Sequence, residues 1–188
     1  MTESPSIKVR QAVLEDTDAL QQLIAESVRG LSFDYYNQRQ IESALLYIFG
    51  VDTQLILDGT YYLAENGPKI VACGGWSKRR SLYGGDQWKS DIDPLLDPAI
   101  EPARIRAFFV HPEWARKGLG KTVLKVCEEA ARNYGFKRLE LCATLPGEPL
   151  YSAMGYVVLE PMKLQTPDGE SLPTLRMGKV LEQLGGKV

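Results

Sequence analysis

The sequence predicts an α/β (α+β) domain built on a mixed, mostly antiparallel sheet of six to seven strands, with helices on both faces. The predicted elements follow the order β α α β β β α β α β β, and hairpins join the strands in the middle of the chain. A single helical crossover separates the strands at 103–110 and 138–144. Because strands joined through a helix usually run in the same direction, we expect these two to be parallel neighbours.

Apolar residues at alternating and at helical spacing locate the individual elements. The predicted strands span residues 7–12, 60–65, 70–76, 103–110, 138–144, 156–165 and 174–180. The predicted helices span residues 16–30, 37–50, 120–135 and 147–154. Gly30, Gly50 and Gly135 are the expected helix ends. The long connection at 77–102 contains a glycine pair and several prolines, and it has no regular pattern.

The chain of 188 residues is long enough to bury a core without disulfides or metals. We expect residues 1–6 to form a flexible N-terminus and residues 7–188 to form a single domain. The net charge of −2 gives no general attraction to nucleic acid or to an anionic membrane. Neither is therefore expected as a partner.

Cysteine usage and the N-terminus bear on the cellular compartment. Cys73, Cys127 and Cys142 lie in apolar runs without CxxC spacing, which indicates buried free thiols and a reducing environment. The polar start of the chain lacks an apolar signal segment, and no apolar run reaches about 18 residues. These observations predict a cytoplasmic protein.

The segment GLGKT is typical of a nucleoside-triphosphate loop, which requires the pattern GxxxxGK[ST]. Gly120, Lys121 and Thr122 supply the end of that pattern, but Ala115 stands where its first glycine should be. The residues HPEW (111–114) also separate the strand from the loop. A P-loop-like NTPase is therefore a remote alternative.

The same segment also predicts a site for a diphosphate. Gly118 and Gly120 let the backbone approach a ligand closely, and the helix that begins here has free amides and a positive dipole end. Arg116, Lys117 and Lys121 add cationic donors. Such a site requires no metal, and none is expected. Taken alone, a glycine-rich turn with solvated cations explains these residues equally well.

Three segments in order resemble the GCN5-related N-acetyltransferase (GNAT) family over roughly residues 104–160: AFFVHPEW, ARKGLGKTVL and LYSAMGYVVL. They are similar to the family's strand with its HP lead-in, its (Q/R)xxGx(G/A) loop and its FYxxxGF element. The resemblance implies the GNAT fold, in which the two parallel strands splay apart. One departure is Ala115, where the family usually has Gln or Arg.

The resemblance implies an N-acetyltransferase that uses acetyl-CoA as its co-substrate. A primary amine attacks the thioester directly, and a tetrahedral intermediate expels CoA. The diphosphate rests on the glycine loop, and the pantetheine pairs with the strand before it. The implied cofactor-binding residues are Phe108, Phe109, Val110, Arg116, Lys117, Gly118, Leu119, Gly120, Lys121 and Thr144. Alternatively, Thr144 caps the short helix that follows it.

The implied reaction needs an acid for the leaving thiolate and a base for the amine. Tyr151 matches the family's tyrosine and is the implied general acid. Many relatives carry a Glu on the strand before the loop, but this strand has none. Glu101 and Glu65 are the remaining base candidates, acting through water, and His111 is expected to be structural.

The early helices and the 77–102 connection are expected to select the acceptor. Residues 32–38 are rich in aromatic side chains. The connection carries the acidic residues Asp86, Asp91, Asp93 and Asp97. Such walls suit a cationic amine, although a solvated surface loop has the same composition. The basic run at 78–80 suits the adenosine phosphate or an anionic acceptor instead, so a polyamine, an amino acid, a peptide terminus and a drug all stay open.

Two further possibilities concern catalysis and assembly. A non-catalytic acyl-CoA sensor or regulatory module would also bind the cofactor, and it would account for Ala115 and for the missing strand glutamate. The C-terminal segment TLRMGKV (174–180) is expected at a sheet edge, where it could pair two chains in a homodimer.

Overall fold

The computed structural model describes residues 6–89 and 93–182. The strands are β1 Ile7–Gln11, β2 Tyr61–Asn66, β3 Lys69–Ser77, β4 Ala103–Val110, β5 Arg138–Thr144, β6 Val157–Gln165 and β7 Ser171–Val180. The helices are α1 Thr17–Ser32, α2 Gln38–Tyr47, α3 Thr53–Leu57, α4 Leu119–Tyr134 and α5 Glu148–Ala153. Short 3₁₀ turns form at Leu14–Asp16 and Pro112–Trp114. Residues 1–5 of the predicted flexible N-terminus lie outside the described residues.

The seven strands form one sheet in the order β1-β2-β3-β4-β5-β7-β6. Only β4 and β5 run parallel, and every other neighbouring pair is antiparallel. The parallel pair is joined at two positions alone, Ala103 with Leu139 and Arg104 with Glu140. Beyond these positions the two strands separate. The predicted mixed sheet with a splayed parallel pair is thereby confirmed.

Each face of the sheet carries its own hydrophobic core. On one face, α4 buries Val123, Leu124 and Cys127 against alternate residues of β5, including Leu139 and Leu141. On the other face, α1, α2 and α3 pack on the sheet and on the β6–β7 hairpin. Since the apolar residues of α4 recur at helical spacing, burial of this face holds the helix in place. The expected helices on both faces are confirmed.

The predicted end of α1 at Gly30 is wrong, because the helix continues to Ser32. The glycine serves a close approach instead. A Cβ atom at position 30 would lie 2.3 Å from Cγ of Pro112, in the turn that follows β4. Gly135 does end α4, in a left-handed conformation with φ 115°, as predicted. The five-residue helix α3 was not predicted, since so short a segment shows little periodicity.

The prediction that residues 174–180 form an edge strand is also wrong. They belong to β7, which lies between β5 and β6. The edges of the sheet are β1 and β6. Residues 174–180 therefore have no free edge through which strands of two chains could pair.

All three cysteines are free thiols; Cys73 and Cys127 are buried and Cys142 is partly buried. None of the helices in the described part of the chain is long and apolar enough to cross a lipid bilayer.

Candidate active site

A cavity of about 820 Å³ opens where β4 and β5 separate. Its lining comes from β4, from the loop and first turn of α4, and from the segment between β5 and the end of α5. The end of α1, residues 48–50 and residues 82–85 complete the wall. The volume is in the range of ligand-binding clefts. The separation of the two parallel strands thus opens a cavity of the size that a ligand requires.

β4 is irregular where it borders the cavity. Ala107 has φ 53°, and the register with β3 shifts between Cys73 and Gly75. Such a bulge re-aims the residues around it. Gly74 makes room for the Phe108 ring, because a Cβ at position 74 would lie 2.5 Å from Cζ of Phe108. Phe108, Phe109 and Val110 all line the cavity.

The amide of Val110 already has a partner. It donates a hydrogen bond to Oγ of Ser27 on α1, at 3.2 Å. Helix α1 thus supplies a hydrogen-bond acceptor to β4 in the region where β4 no longer pairs with β5. Val110 itself lines the cavity, and its predicted contact with a ligand would have to use groups other than this amide.

The glycine loop between β4 and α4 contains two left-handed residues. Arg116 has φ 60° and Gly118 has φ 82°. Gly118 is the N-cap of α4 and no side chain caps the helix there, so the first amides of α4 remain directed at the loop. Successive amides in such a conformation form a concave site for an anion. The helix dipole adds a positive potential at the same place.

Side chains near this loop add positive charge and close packing. Arg116 and Lys121 line the cavity together with Gly118, Leu119 and Gly120. A Cβ at position 120 would lie 3.0 Å from Cδ2 of Leu150, so the helix start packs tightly on α5. The loop therefore has the donors, the charge and the shape that a diphosphate requires.

Lys117 does not line the cavity. Its ammonium lies 4.8 Å from the centre of the Trp114 ring, in a cation–π contact on the turn before the loop. Contact of Lys117 with a cofactor stays a prediction, and it would require this side chain to leave the Trp114 ring.

Tyr151 lines the cavity from α5. Its ring packs edge-on against Phe108, with centroids 6.2 Å apart, and against Tyr156, with centroids 5.8 Å apart. Burial raises the pKa of the phenol above its usual value, with smaller contributions from Cys127 and Cys142. The phenol therefore keeps its proton at neutral pH. Its hydroxyl has no hydrogen-bond partner within residues 6–89 and 93–182, so that proton is not shared with another side chain.

Thr144, at the end of β5, also lines the cavity. The N-cap of α5 is Gly147, and no side chain caps the helix. The carbonyl of Thr144 accepts a hydrogen bond from the Gly147 amide at 3.0 Å, whereas its hydroxyl lies beside Gly147 without capping the helix. The alternative role of Thr144 as a side-chain cap is therefore wrong, and its hydroxyl is left for the cavity.

The predicted base candidates lie outside the cavity lining. Glu101 accepts a hydrogen bond from the amide of Asp97 at 2.8 Å, so it stabilises a turn before β4. Glu65 forms an ion pair with Arg10 at 2.6 Å. His111 accepts a hydrogen bond from the Glu113 amide through Nδ1, at 3.2 Å, and has the structural role expected of it. The structure does not bring Glu101 or Glu65 to Tyr151.

A buried ion pair behind the cavity wall was missed by the sequence analysis. Arg106 on β4 donates from Nη2 to Oδ2 of Asp52 at 2.9 Å. Its guanidinium also donates to the carbonyls of Ser81, at 2.7 Å, and Gly84, at 2.6 Å. Lys89 pairs with the same carboxylate. These bonds hold residues 81–84 of the long connection against β4.

Tyr36 is a second residue that the sequence analysis missed. Its hydroxyl donates to the carbonyl of Pro173 on β7, at 2.7 Å, and accepts from the Leu145 amide after β5, at 2.9 Å. The residues just before it, 33–35, line the cavity. Tyr36 therefore fixes this part of the wall to the sheet.

The two segments expected to select the acceptor do meet at the cavity, through residues 32–35 and 82–85. The predicted acidic residues do not. Asp86 accepts from the Thr53 amide, Asp93 from the Ser81 amide and Asp97 from the Ala99 amide. Asp91 lies outside the described residues. The basic run at 78–80 also lies away from the lining.

Comparison with known proteins agrees with this geometry. The sequence model of the acetyltransferase (GNAT) family matches residues 24–156. The chain therefore belongs to the GNAT family of acetyltransferases. No curated protein matches the chain at a significant level.

Solved structures of similar fold span nearly the whole chain. A GCN5-related N-acetyltransferase from Rhodopseudomonas palustris has a TM-score of 0.69 and 20% identity, covering 96% of this chain and 99% of its own. The PaiA N-acetyltransferase from Thermoplasma acidophilum, in complex with coenzyme A, has a TM-score of 0.65 and 16% identity over 94% and 99%. YncA from Salmonella typhimurium, with its cofactor acetyl-CoA, has a TM-score of 0.62 and 16% identity over 97% and 98%.

Proposed function

We propose that the protein transfers an acetyl group from acetyl-CoA to a primary amine. The observation that carries the proposal is the joint position of the left-handed loop at 116–118 and Tyr151 on one cavity. The loop suits the diphosphate of CoA, and the tyrosine suits its thiol end. Two structures of similar fold contain CoA or acetyl-CoA, which supports the same ligand here.

The residues assigned to acetyl-CoA follow from the cavity lining. The amides at 118–121, with Arg116 and Lys121, bind the diphosphate. The backbone of Phe108 and Phe109 pairs with the pantetheine, and the Thr144 hydroxyl is a further donor. Acetyl-CoA supplies an activated thioester. The protein's contribution is to position that thioester and to stabilise the charge that develops on its carbonyl oxygen.

Tyr151 is the general acid of the proposed reaction. The amine nitrogen attacks the acetyl carbon to give a tetrahedral intermediate. Collapse of this intermediate breaks the bond from carbon to sulfur, and the phenol gives its proton to the sulfur. Because the pKa of Tyr151 is raised by burial, it donates only once negative charge has developed on the leaving group. The proton lost by the amine passes to water at the cavity mouth, since Glu65 and Glu101 lie elsewhere.

A cytoplasmic location is part of the proposal. Three free cysteines, two of them fully buried, support a reducing environment.

Thermal unfolding with added ligands tests the binding site. Acetyl-CoA and CoA at one hundred times their dissociation constants should each add about 2.7 kcal/mol to the free energy of unfolding. ATP with magnesium should add nothing. Stabilisation by ATP with magnesium alone would overturn the assignment of the loop to CoA.

Release of CoA thiol from acetyl-CoA, in the presence of a broad panel of amines, tests the reaction. Amine-dependent release is expected. Tight binding of acetyl-CoA without release for any amine in the panel would instead indicate a non-catalytic acyl-CoA sensor.

A further inference from the structure

The charged side chains of the cavity lining are unevenly distributed. Within the described residues, the lining contains four of them: Asp34, Arg106, Arg116 and Lys121. Arg116 and Lys121 belong to the glycine loop, at the diphosphate end. Asp34 belongs to the turn after α1, which lines the same cavity as residues 82–85. Within the described residues, the lining thus contains two cations of the glycine loop and a single carboxylate, that of Asp34.

Arg106 does not change this distribution. Its side chain is 2% exposed, and the Asp52 carboxylate beside it is 1% exposed. Both terminal nitrogens of the guanidinium already donate hydrogen bonds, to Asp52 and to the carbonyls of Ser81 and Gly84. A carboxylate on an acceptor would have to displace these buried bonds. Within the described residues, the acceptor wall therefore has no cation that is free to bind an acidic group.

Asp34 differs from the other aspartates near this wall. It lies in an exposed turn and lines the cavity. In the part of the chain that the structure describes, no hydrogen bond or ion pair involves its carboxylate. Asp86 and Asp93, in contrast, each accept a backbone amide of the surrounding loops.

Four aromatic side chains lie in the parts of the lining formed by residues 33–35, 48–50 and 82–85. Phe33 is 66% exposed and Tyr35 is 47% exposed, although both border the cavity. Phe49 packs edge-on against Phe109 at 6.1 Å, and Tyr83 packs against Trp88 at 5.6 Å. Exposed aromatic rings beside a cavity are typical of a binding surface, because contact with a ligand removes apolar area of both partners from water.

We propose that the acceptor is a primary amine with one positive charge, carried on an aromatic body that has no carboxylate. This inference rests on the proposed acetyl transfer and names its acceptor class. Asp34 binds the ammonium group, and Phe33 and Tyr35 cover the ring. A polyamine lacks the apolar body and would need several carboxylates, and an amino acid adds a carboxylate that the wall does not balance.

The proton and bond changes are those of the proposed reaction. The ammonium bound near Asp34 loses one proton to water before the neutral nitrogen attacks. The new bond joins nitrogen to the acetyl carbon, and the bond from that carbon to sulfur breaks. The second proton of the amine leaves to water, Tyr151 protonates the sulfur, and the resulting phenolate regains a proton from water.

Amines that differ in one chemical feature test the proposed acceptor class. Phenethylamine and phenylalanine differ by one carboxylate, and spermidine replaces the ring with further ammonium groups. With acetyl-CoA saturating, kcat/KM from thiol release should be at least about tenfold higher for phenethylamine than for either of the others, which corresponds to roughly 1.4 kcal/mol. A preference for phenylalanine or spermidine would overturn the acceptor class and leave acetyl transfer intact. No release with any amine, peptides included, would overturn both proposals.

Substitutions at the wall test the assigned residues. Asp34→Asn should raise the KM for phenethylamine about fivefold and leave the KM for acetyl-CoA unchanged, because an exposed ion pair contributes up to about 1 kcal/mol. Asp34→Glu should restore part of the loss. Asp18→Asn is the matched control, since Asp18 is exposed on α1 and does not line the cavity. An unchanged KM in Asp34→Asn would remove Asp34 from the acceptor site.

Phe33→Ala tests the aromatic contact in the same way. It should lower kcat/KM for phenethylamine about tenfold and affect a short alkylamine such as ethylamine much less. The control is Leu46→Ala, because Leu46 is 63% exposed and lies outside the lining. Equal losses for phenethylamine and ethylamine would show that Phe33 does not contact the acceptor.

Discussion

Asp52 and Arg106 form an ion pair of 2.9 Å in which neither side chain is more than 2% exposed. The two residues are 54 positions apart in the sequence, and they join the N-cap of α3 to the middle of β4. The same carboxylate pairs with Lys89. This pair holds the long connection in place, so part of the cavity wall depends on a charge interaction that lies behind it.

Removal of the Asp52 charge should destabilise the protein strongly. Asp52→Asn leaves the Arg106 guanidinium buried without its counter-ion, which costs about 3–5 kcal/mol. Urea unfolding at neutral pH measures the change. Glu42→Gln is the control, because its ion pair with Arg29 is exposed and should contribute less than about 1 kcal/mol. Equal losses in the two variants would contradict the structural role of the buried pair.

An acidic side chain at Gly118 should abolish acetyl-CoA binding. Among the described residues, and apart from the two chain neighbours, no atom lies within 4 Å of a Cβ built at this position, and the glycine has φ 82°. Asp tolerates the left-handed conformation better than most residues, so the main effect of Gly118→Asp is a negative charge against the diphosphate. Acetyl-CoA should then give no thermal stabilisation. Gly67→Asp carries the same backbone penalty at φ 58° in the β2–β3 turn, and it should keep the full stabilisation.

Loss of the Tyr151 hydroxyl should affect turnover much more than binding. Tyr151→Phe keeps the ring contacts with Phe108 and Tyr156 and removes the proton donor. We expect kcat to fall by on the order of 10²-fold, with little change in the KM for acetyl-CoA. Tyr134→Phe is the control, since Tyr134 is half exposed and stacks on Phe136 outside the cavity. A variant at 151 that is as fast as wild type with several amines would disprove the acid role.

Asp58 should make stability depend on pH. The hydrogen bonds from Arg79 hold the pKa of this carboxyl below its usual value of 3.8, against the opposing effect of burial. Because the folded pKa is depressed, the ionised Asp58 carboxylate stabilises the fold fully above the unfolded pKa. This stabilisation is lost as pH falls through the folded pKa. Asp58→Asn should therefore reduce the free energy of unfolding at pH 7, and the difference from wild type should shrink as pH approaches about 3.

Arg79→Gln provides the reciprocal test for Asp58. It removes the other half of the ion pair, so its loss of stability should follow the same pH profile. A constant difference from wild type between about pH 7 and pH 3, in either variant, would show that the pair does not set the pKa of Asp58.

Local patterns were sufficient where one element determines its own conformation. The bounds of β4 and β5 were predicted correctly because their apolar residues alternate between two buried faces. Gly135 was recognised as a helix end, since a left-handed residue there needs no distant partner. The glycine loop is likewise a local pattern. Arg116 and residues 118–121 line the cavity, whereas Lys117 does not.

Contacts between distant segments could not be predicted. Gly30 is a residue type that commonly ends helices. Here it allows the close approach of Pro112, which is far away in the sequence. Arg106 lies in a strand of alternating pattern, and its charge can be buried because Asp52, which is distant in the sequence, pairs with it. The aspartates of the long connection matched a cationic acceptor by composition, whereas the backbone amides beside them determine where they point.

The hydrogen bond from the Val110 amide to Ser27 links the strand of the proposed cofactor site to the helix that ends at the proposed acceptor wall. This link limits how the protein can be redesigned. A segment graft that replaces only residues 33–35 leaves it intact and is a suitable unit for exchanging acceptor preference between relatives. A graft that replaces the whole of α1 also removes Ser27 and Gly30, so it needs compatible residues at the end of β4 and in the Pro112 turn.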